Sequence, residues 1–210
     1  KKVRGVNMQQ VPRDPIIRGV FGAAPGWTFI EADYSQVELR IAAELAQEPT
    51  MLGLYSRGED IHMAMAMRMT GKPADQVTKE ERKKAKAVNF GFLYGMGWRK
   101  FIQTAYTNYG VVVTEREAQD FRKAFFEQFP VLVRWHARQR RLVTQYKRVQ
   151  SPLGRVRHLP DVDSQDEGVV AEAQRQAINS PVQATASDLC LLSLVLLDRE
   201  FRKRGLKAAP

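Results

Sequence analysis

The spacing of apolar positions predicts a chain built mostly from helices. In QVELRIAAELAQ (36–47), Val37, Ile41 and Leu45, followed by Ala42 and Ala46, recur at helical intervals, and Pro49 limits the segment. IHMAMAMRM (61–69) alternates like a strand, but methionine and alanine are good helix formers, so it is read as a helix. REAQDFRKAFFEQF, stopping at Pro130, and VLVRWHARQRRLVTQYK carry two more helical patterns. Two regions differ. WTFIEADYS (27–35), rich in aromatic and β-branched residues, predicts a strand ending near Asp33. RVQSPLGRVRHLP (148–160) predicts two short strands around a Pro-Leu-Gly turn.

Polar and small residues set the predicted boundaries. Thr78 with Glu81, Thr114 with Glu117 and Ser164 with Glu167 each have the spacing of a capping box. The first opens a helix running to about Tyr94, where Gly95 and Gly97 end it; the third opens one to about Asn179. Pro181 is expected to break that helix, leaving a last one from Gln183 to Arg204 with Gly205 as its stop. Residues 1–27, punctuated by proline and glycine, read as loop. No internal repeat is visible. The fold class expected from this pattern is helix-rich α+β.

Composition narrows the partners. The 210 residues are 44% hydrophobic, enough for a sizeable core, and carry a net charge of +10. That balance points to a polyanion, nucleic acid before an anionic membrane. Arg134 to Arg157 contains eight basic residues and no acid, which suits phosphate contact or a solvated face. Cys190 is the single cysteine, so no intrachain disulfide forms; within DLCLLSLVLLD it reads as a buried small hydrophobe. The uninterrupted apolar runs are far too short to cross a bilayer, which takes ~20 residues, and no secretion signal is visible. A cytoplasmic protein, of the nucleoid or of an infected cell, with no membrane partner is expected.

One segment combines several chemistries. ERKKAKAVNFGFLYGMG (81–97) places Arg82, Lys83, Lys84 and Lys86 ahead of Phe90, Phe92 and Tyr94. Arg82, Lys86, Phe90 and Tyr94 are spaced by four, so on a helix they form a stripe ~18 Å long on one broad side. That length suits a nucleoside triphosphate, with Arg82 forking phosphate oxygens, Lys86 supplying a point charge and the rings facing sugar or base. The alternative is an amphipathic helix with a solvated basic start. Against it, cations are unfavourable at a helix N-terminus, a cost that a bound polyanion offsets. Asp33, at the end of the predicted strand, suits a divalent metal or a helix cap; Glu38 lies one turn into the next helix. DVDSQDE (161–167) is explained by acids at a helix start rather than by a metal cluster.

Together these stretches resemble the polymerase domain of family A DNA polymerases. DYSQVELR (33–40) is similar to that family's motif A and RKKAKAVNFGFLYG (82–95) to its motif B. NMQQVP (7–12) and NSPVQATASD (179–188) resemble two further family segments, in the expected order along nearly the whole chain. The resemblance implies template-directed addition of dNTPs to a primer. Asp33 would be one of two carboxylates binding two catalytic Mg²⁺ ions, with the main-chain carbonyl of Tyr34 as a further ligand. Arg82 and Lys86, helped by His62, would hold the triphosphate, and Gln36 is counted with the nucleotide-binding residues. Phe90 would pack on the nucleotide, Tyr94 would sit near the templating base, and Glu38 would contact Tyr94 and crowd the sugar 2′ position. Gln9, Arg13, Arg175, Asn179 and Gln183 would lie along the primer–template duplex.

The resemblance also implies an architecture: a right-hand palm with an inserted helical fingers subdomain. Residues 1–50 would be the first part of the palm, 51–165 the fingers and 166–210 a returning palm helix. The family's second carboxylate, on a later His-Asp-Glu hairpin, has no match here, and a thumb is expected to be absent. The chain therefore reads as a fragment that is inactive alone, whose partners are primer–template DNA, dNTPs and the remainder of the polymerase. Smaller departures are Ala184, Ser187 and Lys147. Two alternatives stay open: a single-subunit RNA polymerase relative, which Glu38 argues against, and a non-catalytic basic nucleic-acid-binding module.

Overall fold

In the computed structural model, residues 11 and 14–208 are described. They fall into two compact units, residues 1–35 and 36–210, each taken here by itself.

Within the first unit, α1 (Pro15–Gly19) starts behind Asp14, whose Oδ1 accepts from the Ile16 amide at 2.8 Å. The predicted strand is not found: residues 27–34 form no regular element. The physical reason is that a strand is stable only when a neighbour completes its backbone hydrogen-bond ladder, and the described residues of this unit contain no second strand. The residue at the cap position of the next helix is Gln36, in the left-handed conformation and without a side-chain cap bond.

The second unit is helical apart from one hairpin. Its elements are α2 (Val37–Ala46), α3 (Pro49–Ser56), α4 (Ile61–Thr70), α5 (Lys79–Leu93), α6 (Trp98–Tyr109), α7 (Glu115–Gln128), α8 (Pro130–Tyr146), β1 (Arg148–Gln150), β2 (Val156–His158) and α9 (Glu167–Lys203). The capping boxes predicted at Thr78/Glu81 and Thr114/Glu117 are both formed, each with reciprocal side-chain and backbone bonds. The hairpin pairs Val149 with Arg157 in an antiparallel register. Helices α3 and α6 carry no signal that the sequence reading used. Pro49 is the first residue of α3 as well as the limit of α2, a position where its missing N–H costs nothing.

The third capping box is not formed. Asp166, not Ser164, is the N-cap of α9; its Oδ1 accepts from the Gly168 and Val169 amides, and Ser164 Oγ accepts from the Asp166 amide. The expected break at Pro181 is also absent: α9 runs unbroken for 37 residues with the proline inside. Proline inside a helix costs ~3 kcal/mol through the lost N–H and a clash with the preceding turn. Ile178 and Val182 beside it are fully buried, and burial is worth ~1.5–3 kcal/mol for each such side chain. Packing therefore offsets the local penalty.

The main core lies between α2, α3, α4, α5, α6, α7, α8 and the middle of α9. Phe92 of α5 stacks at 4.6 Å on Phe101 of α6 and at 6.0 Å on Phe125 of α7, and Phe125 meets Phe129 edge-on at 5.2 Å. Gly91 makes the α5–α6 crossing possible: a Cβ there would lie 2.8 Å from the Phe101 ring. A smaller apolar cluster, Val143, Val149, Leu159, Val162, Ala173 and Ala177, ties α8, the hairpin and α9 together. Past Ala186, α9 leaves the core, and Leu191, Leu192, Val195 and Leu196 are about half exposed. Cys190 is exposed with them, contrary to the buried reading, because no described element covers this face.

Candidate nucleotide and nucleic-acid site

The site candidates of the second unit converge on α5. Its inward face (Ala85, Val88, Asn89, Phe92) is buried, which leaves Arg82, Lys86, Phe90 and Tyr94 on the less buried side, as the four-residue spacing predicts. Arg82 is already engaged. Its Nε and Nη2 lie 2.7 and 2.6 Å from Asp60 Oδ2, while Asp60 Oδ1 accepts from the His62 amide and so caps α4. Partial burial would raise the Asp60 carboxyl, but Arg82 and the backbone donors outweigh it and hold the group below its usual range. Lys86 is exposed, with no carboxylate in ion-pair range among the described residues. The two cations thus differ: Arg82 is a structural pair that a phosphate would have to share, whereas Lys86 is open.

His62 sits beneath them, 3% exposed. Burial lowers it from 6.5 to about 4, against the pull of Asp60 and with the push of Arg82 and Lys86. It is neutral near pH 7. Asn89 Nδ2 approaches His62 Nδ1 at 2.9 Å and the Ile61 carbonyl at 3.3 Å, so Nδ1 accepts and the ring proton is on Nε2. His62 can offer a neutral N–H to a ligand, not a positive charge. Its ring centroid is 5.7 Å from that of Phe90.

At the other end of α5, the Tyr94 hydroxyl donates to Glu38 Oε2, and the Gln183 side chain lies near enough to influence the phenol. Burial, then the Glu38 hydrogen bond and charge, push the Tyr94 phenol far above its ordinary value, so it stays protonated and remains a donor. Three candidates from α2, the end of α5 and α9 therefore meet at one point. Gly95 follows in the left-handed region at φ +70, and a Cβ there would lie 3.0 Å from Ile178 Cδ1. His136 of α8, which sequence reading did not select, fixes the same corner: its Nε2 is 2.8 Å from the Leu93 carbonyl. Burial lowers this histidine to about 4 as well, so Nε2–H donates from a neutral ring. Nothing in the local pattern around His136 marks this role, whereas Asn89, a polar residue on an apolar helix face, was a readable signal.

The remaining candidates are more dispersed. Gln36 Oε1 accepts from the Tyr55 hydroxyl at 3.2 Å, with Arg40 4.3 Å above the Tyr55 ring. Arg175 is paired with Glu172 one turn away, Nε to Oε2 at 3.0 Å. Asn179 Oδ1 is buried without a donor, an orphan of the kind a ligand satisfies. Gln183 is exposed on the same helix. Of the basic stretch, Lys147 pairs with Asp163, Arg155 with Asp188, and Arg157 bonds Gln176 at 2.7 Å. Its charge is thus partly neutralised by acids from outside the stretch, including one from DVDSQDE. Gln9 and Arg13 lie outside the described residues.

Asp33 and Tyr34 belong to the first unit, where both are exposed. Among the described residues no three His, Cys, Asp or Glu side chains are grouped as a metal site. One carboxylate and one carbonyl are an incomplete protein share of a two-ion centre, so no reaction step is derived through the ions.

The comparisons with known proteins agree on one family. The model for DNA polymerase family A matches residues 3–209. The chain is 37% identical over 204 residues to the DNA polymerase I of Aquifex aeolicus, covering 96% of this chain and 33% of that protein. It is 34% identical over 183 residues to the DNA polymerase of Bacillus phage SP01, covering 87% of this chain and 20% of that protein. With the thermostable DNA polymerase I of Thermus aquaticus the identity is 35% over 203 residues, covering 95% of this chain and 24% of the relative. A solved POL domain of Pol1 from M. smegmatis, in complex with DNA primer-template and dNTP, superimposes with a TM-score of 0.81 at 28% identity, covering 96% of this chain and 35% of that one. The chain spans a third or less of the length of these curated relatives. Matched by the family model from residue 3 to residue 209, the chain belongs to DNA polymerase family A.

Proposed function

We propose that this chain is a portion of a template-directed DNA polymerase that adds dNTPs to a primer 3′ end by two-metal nucleotidyl transfer. The observation that carries the reading is the meeting of Glu38, Tyr94 and Gln183 at the end of α5, next to a stripe that continues through Phe90 to Lys86. In this reading the stripe receives the nucleotide, with Lys86 on the phosphates and Arg82 shared between phosphate and Asp60. His62 donates Nε2–H, and Phe90 faces the sugar. Glu38 and Tyr94 close the pocket against a 2′-hydroxyl, which would clash or leave buried groups unpaired. Gln36 flanks this pocket. Arg175, Asn179 and Gln183, with Gln9 and Arg13, follow the minor groove, where acceptors recur at similar positions in every base pair.

Asp33 and the Tyr34 carbonyl would hold two Mg²⁺ ions together with a second carboxylate from the rest of the polymerase. The ions supply charge stabilisation of the attacking and leaving oxygens. Residues 1–50 and 166–210 are assigned to the palm and 51–165 to the fingers, in a cytoplasmic enzyme. The exposed leucine face of α9 is then where the rest of the enzyme packs. By length and composition α9 is long and apolar enough to cross a bilayer, which the sequence reading did not expect; membership in the polymerase family favours protein as its cover.

The test is primer extension by the full-length protein with Mg²⁺, primer–template and dNTPs. Base-matched extension abolished by Asp33→Ala is expected. Binding of DNA without base-matched dNTP selection would replace this reading with a non-catalytic module.

A further inference from the structure

A cleft of about 510 Å³ lies where α2, α8, β1 and α9 converge, and none of its lining residues belongs to the α5 stripe. Its volume lies within the roughly 300–1,000 Å³ of small-molecule sites. Its walls include Trp135, Leu142, Tyr146 and Pro181, and its cationic groups are Arg138 and Arg148. No acidic residue lines it among the described residues. Tyr146 is 55% exposed, which leaves its ring accessible. Arg138 and Arg148 have no carboxylate partner among the described residues, unlike Lys147 and Arg155 of the same stretch. Arg134 and Arg141, exposed on the neighbouring turns of α8, are likewise without an ion pair among the described residues and extend the positive surface. A second cleft of about 160 Å³ shares Val149, Ser151 and Pro181 with the first and is lined by Gln183, Arg155 and Arg157. A continuous path thus runs from the Gln183 end of the candidate duplex face, over the hairpin, to Arg138.

We propose that the α8–hairpin cleft binds unpaired DNA, taking one nucleotide between Tyr146 and the apolar wall with its phosphates on Arg138 and Arg148. Cations along a groove, with an aromatic face and no acid, are what sequence-tolerant single-strand binding requires, because every base offers a π-face and every nucleotide a phosphate. Charge complementarity selects the polyanion, and the flat apolar wall selects a base over an acidic peptide. That the polyanion is DNA rests on the polymerase reading. Such a strand has two sources, the template ahead of the primer end or a displaced strand.

The experiment measures Kd of the full-length protein, without dNTP, for three substrates: a primer–template with a one-nucleotide overhang, one with a long 5′ template overhang, and one with a displaced flap. For the wild type, the long overhang or the flap is expected to bind at least tenfold tighter than the short one, and the tighter of the two identifies the strand. Arg138→Ala with Arg148→Ala should abolish that gain and lower the salt slope by roughly 1.4, the value for two single-strand phosphates. Tyr146→Ala should reduce the gain several-fold with the slope unchanged. Short-overhang binding and extension should be unaffected. Equal affinity for all three substrates, or variants that weaken them equally, overturns the proposal; so does displacement of the strand by polyglutamate at lower concentration than by single-stranded DNA. Overhang-dependent binding in a protein that cannot extend a primer would leave the cleft standing and remove the polymerase reading instead.

Discussion

The hydroxyl of Tyr94, at the end of α5, donates to the carboxylate of Glu38 in the first turn of α2. Two residues 56 positions apart thereby tie the start of α2 to the end of α5. Replacing Glu38 with alanine takes from the largely buried phenol the carboxylate it donates to, a loss of about 1–3 kcal/mol in local stability. Ribonucleotide incorporation is expected to rise at least tenfold relative to deoxynucleotides, read as the ratio of the two kcat/KM values. An unchanged ratio removes Glu38 from sugar selection.

Lys86 and Arg82 should separate in two assays. Lys86 is exposed and outside any ion pair among the described residues, so Lys86→Ala is expected to raise the dNTP KM tenfold or more while the Tm and the DNA Kd stay within error. Arg82→Ala also breaks the partly exposed pair with Asp60, so it should lower stability by up to about 1 kcal/mol besides weakening triphosphate binding. Equal losses of dNTP and DNA affinity for Lys86→Ala would make it a general phosphate contact.

Glu48 is fully buried and serves two helix starts at once: Oε1 accepts from Thr50 at 3.1 Å in α3, and Oε2 from Val131 at 2.8 Å in α8. Both helix dipoles favour the negative charge. Glu48→Ala should cost about 1–3 kcal/mol, since two part-buried amide donors lose their acceptor, and Glu48→Gln less, since one acceptor oxygen survives. Denaturant midpoints of the three proteins check the order. A change within 0.5 kcal/mol for alanine would mean that water replaces the carboxylate.

Stability should fall on mild acidification. His62 and His136 are both lowered by burial from 6.5 to about 4, so between those pH values the unfolded chain binds more protons than the folded one. Their contribution is complete above pH 6.5 and is lost as pH falls toward about 4. For His136 the difference corresponds to roughly 3 kcal/mol. Urea denaturation at pH 7 and pH 5 samples about 2 kcal/mol of it, and His136→Gln should flatten the dependence. A flat wild-type profile would show that these rings are hydrated.

Local chemistry by itself determined where several helices begin, because a cap is satisfied within four residues of itself, as at Thr78 and Thr114. Helical periodicity likewise determined that Arg82, Lys86, Phe90 and Tyr94 share a side of α5, and turn residues determined the hairpin. The segment order, through its resemblance to a family, implied the Glu38–Tyr94 contact. Tertiary structure decided what depends on a distant partner. Pro181 stays inside α9 because Ile178 and Val182 are buried beside it. Residues 27–34 are not a strand because a strand is defined by its neighbour. Arg82 is tied down because the α4 cap, Asp60, comes within reach, and His136 reaches Leu93 only once α8 packs on the end of α5. Cys190 and the leucines around it are exposed although their composition is that of a core. Hydrophobicity states that a face is worth covering; only the arrangement of the other elements states whether anything covers it.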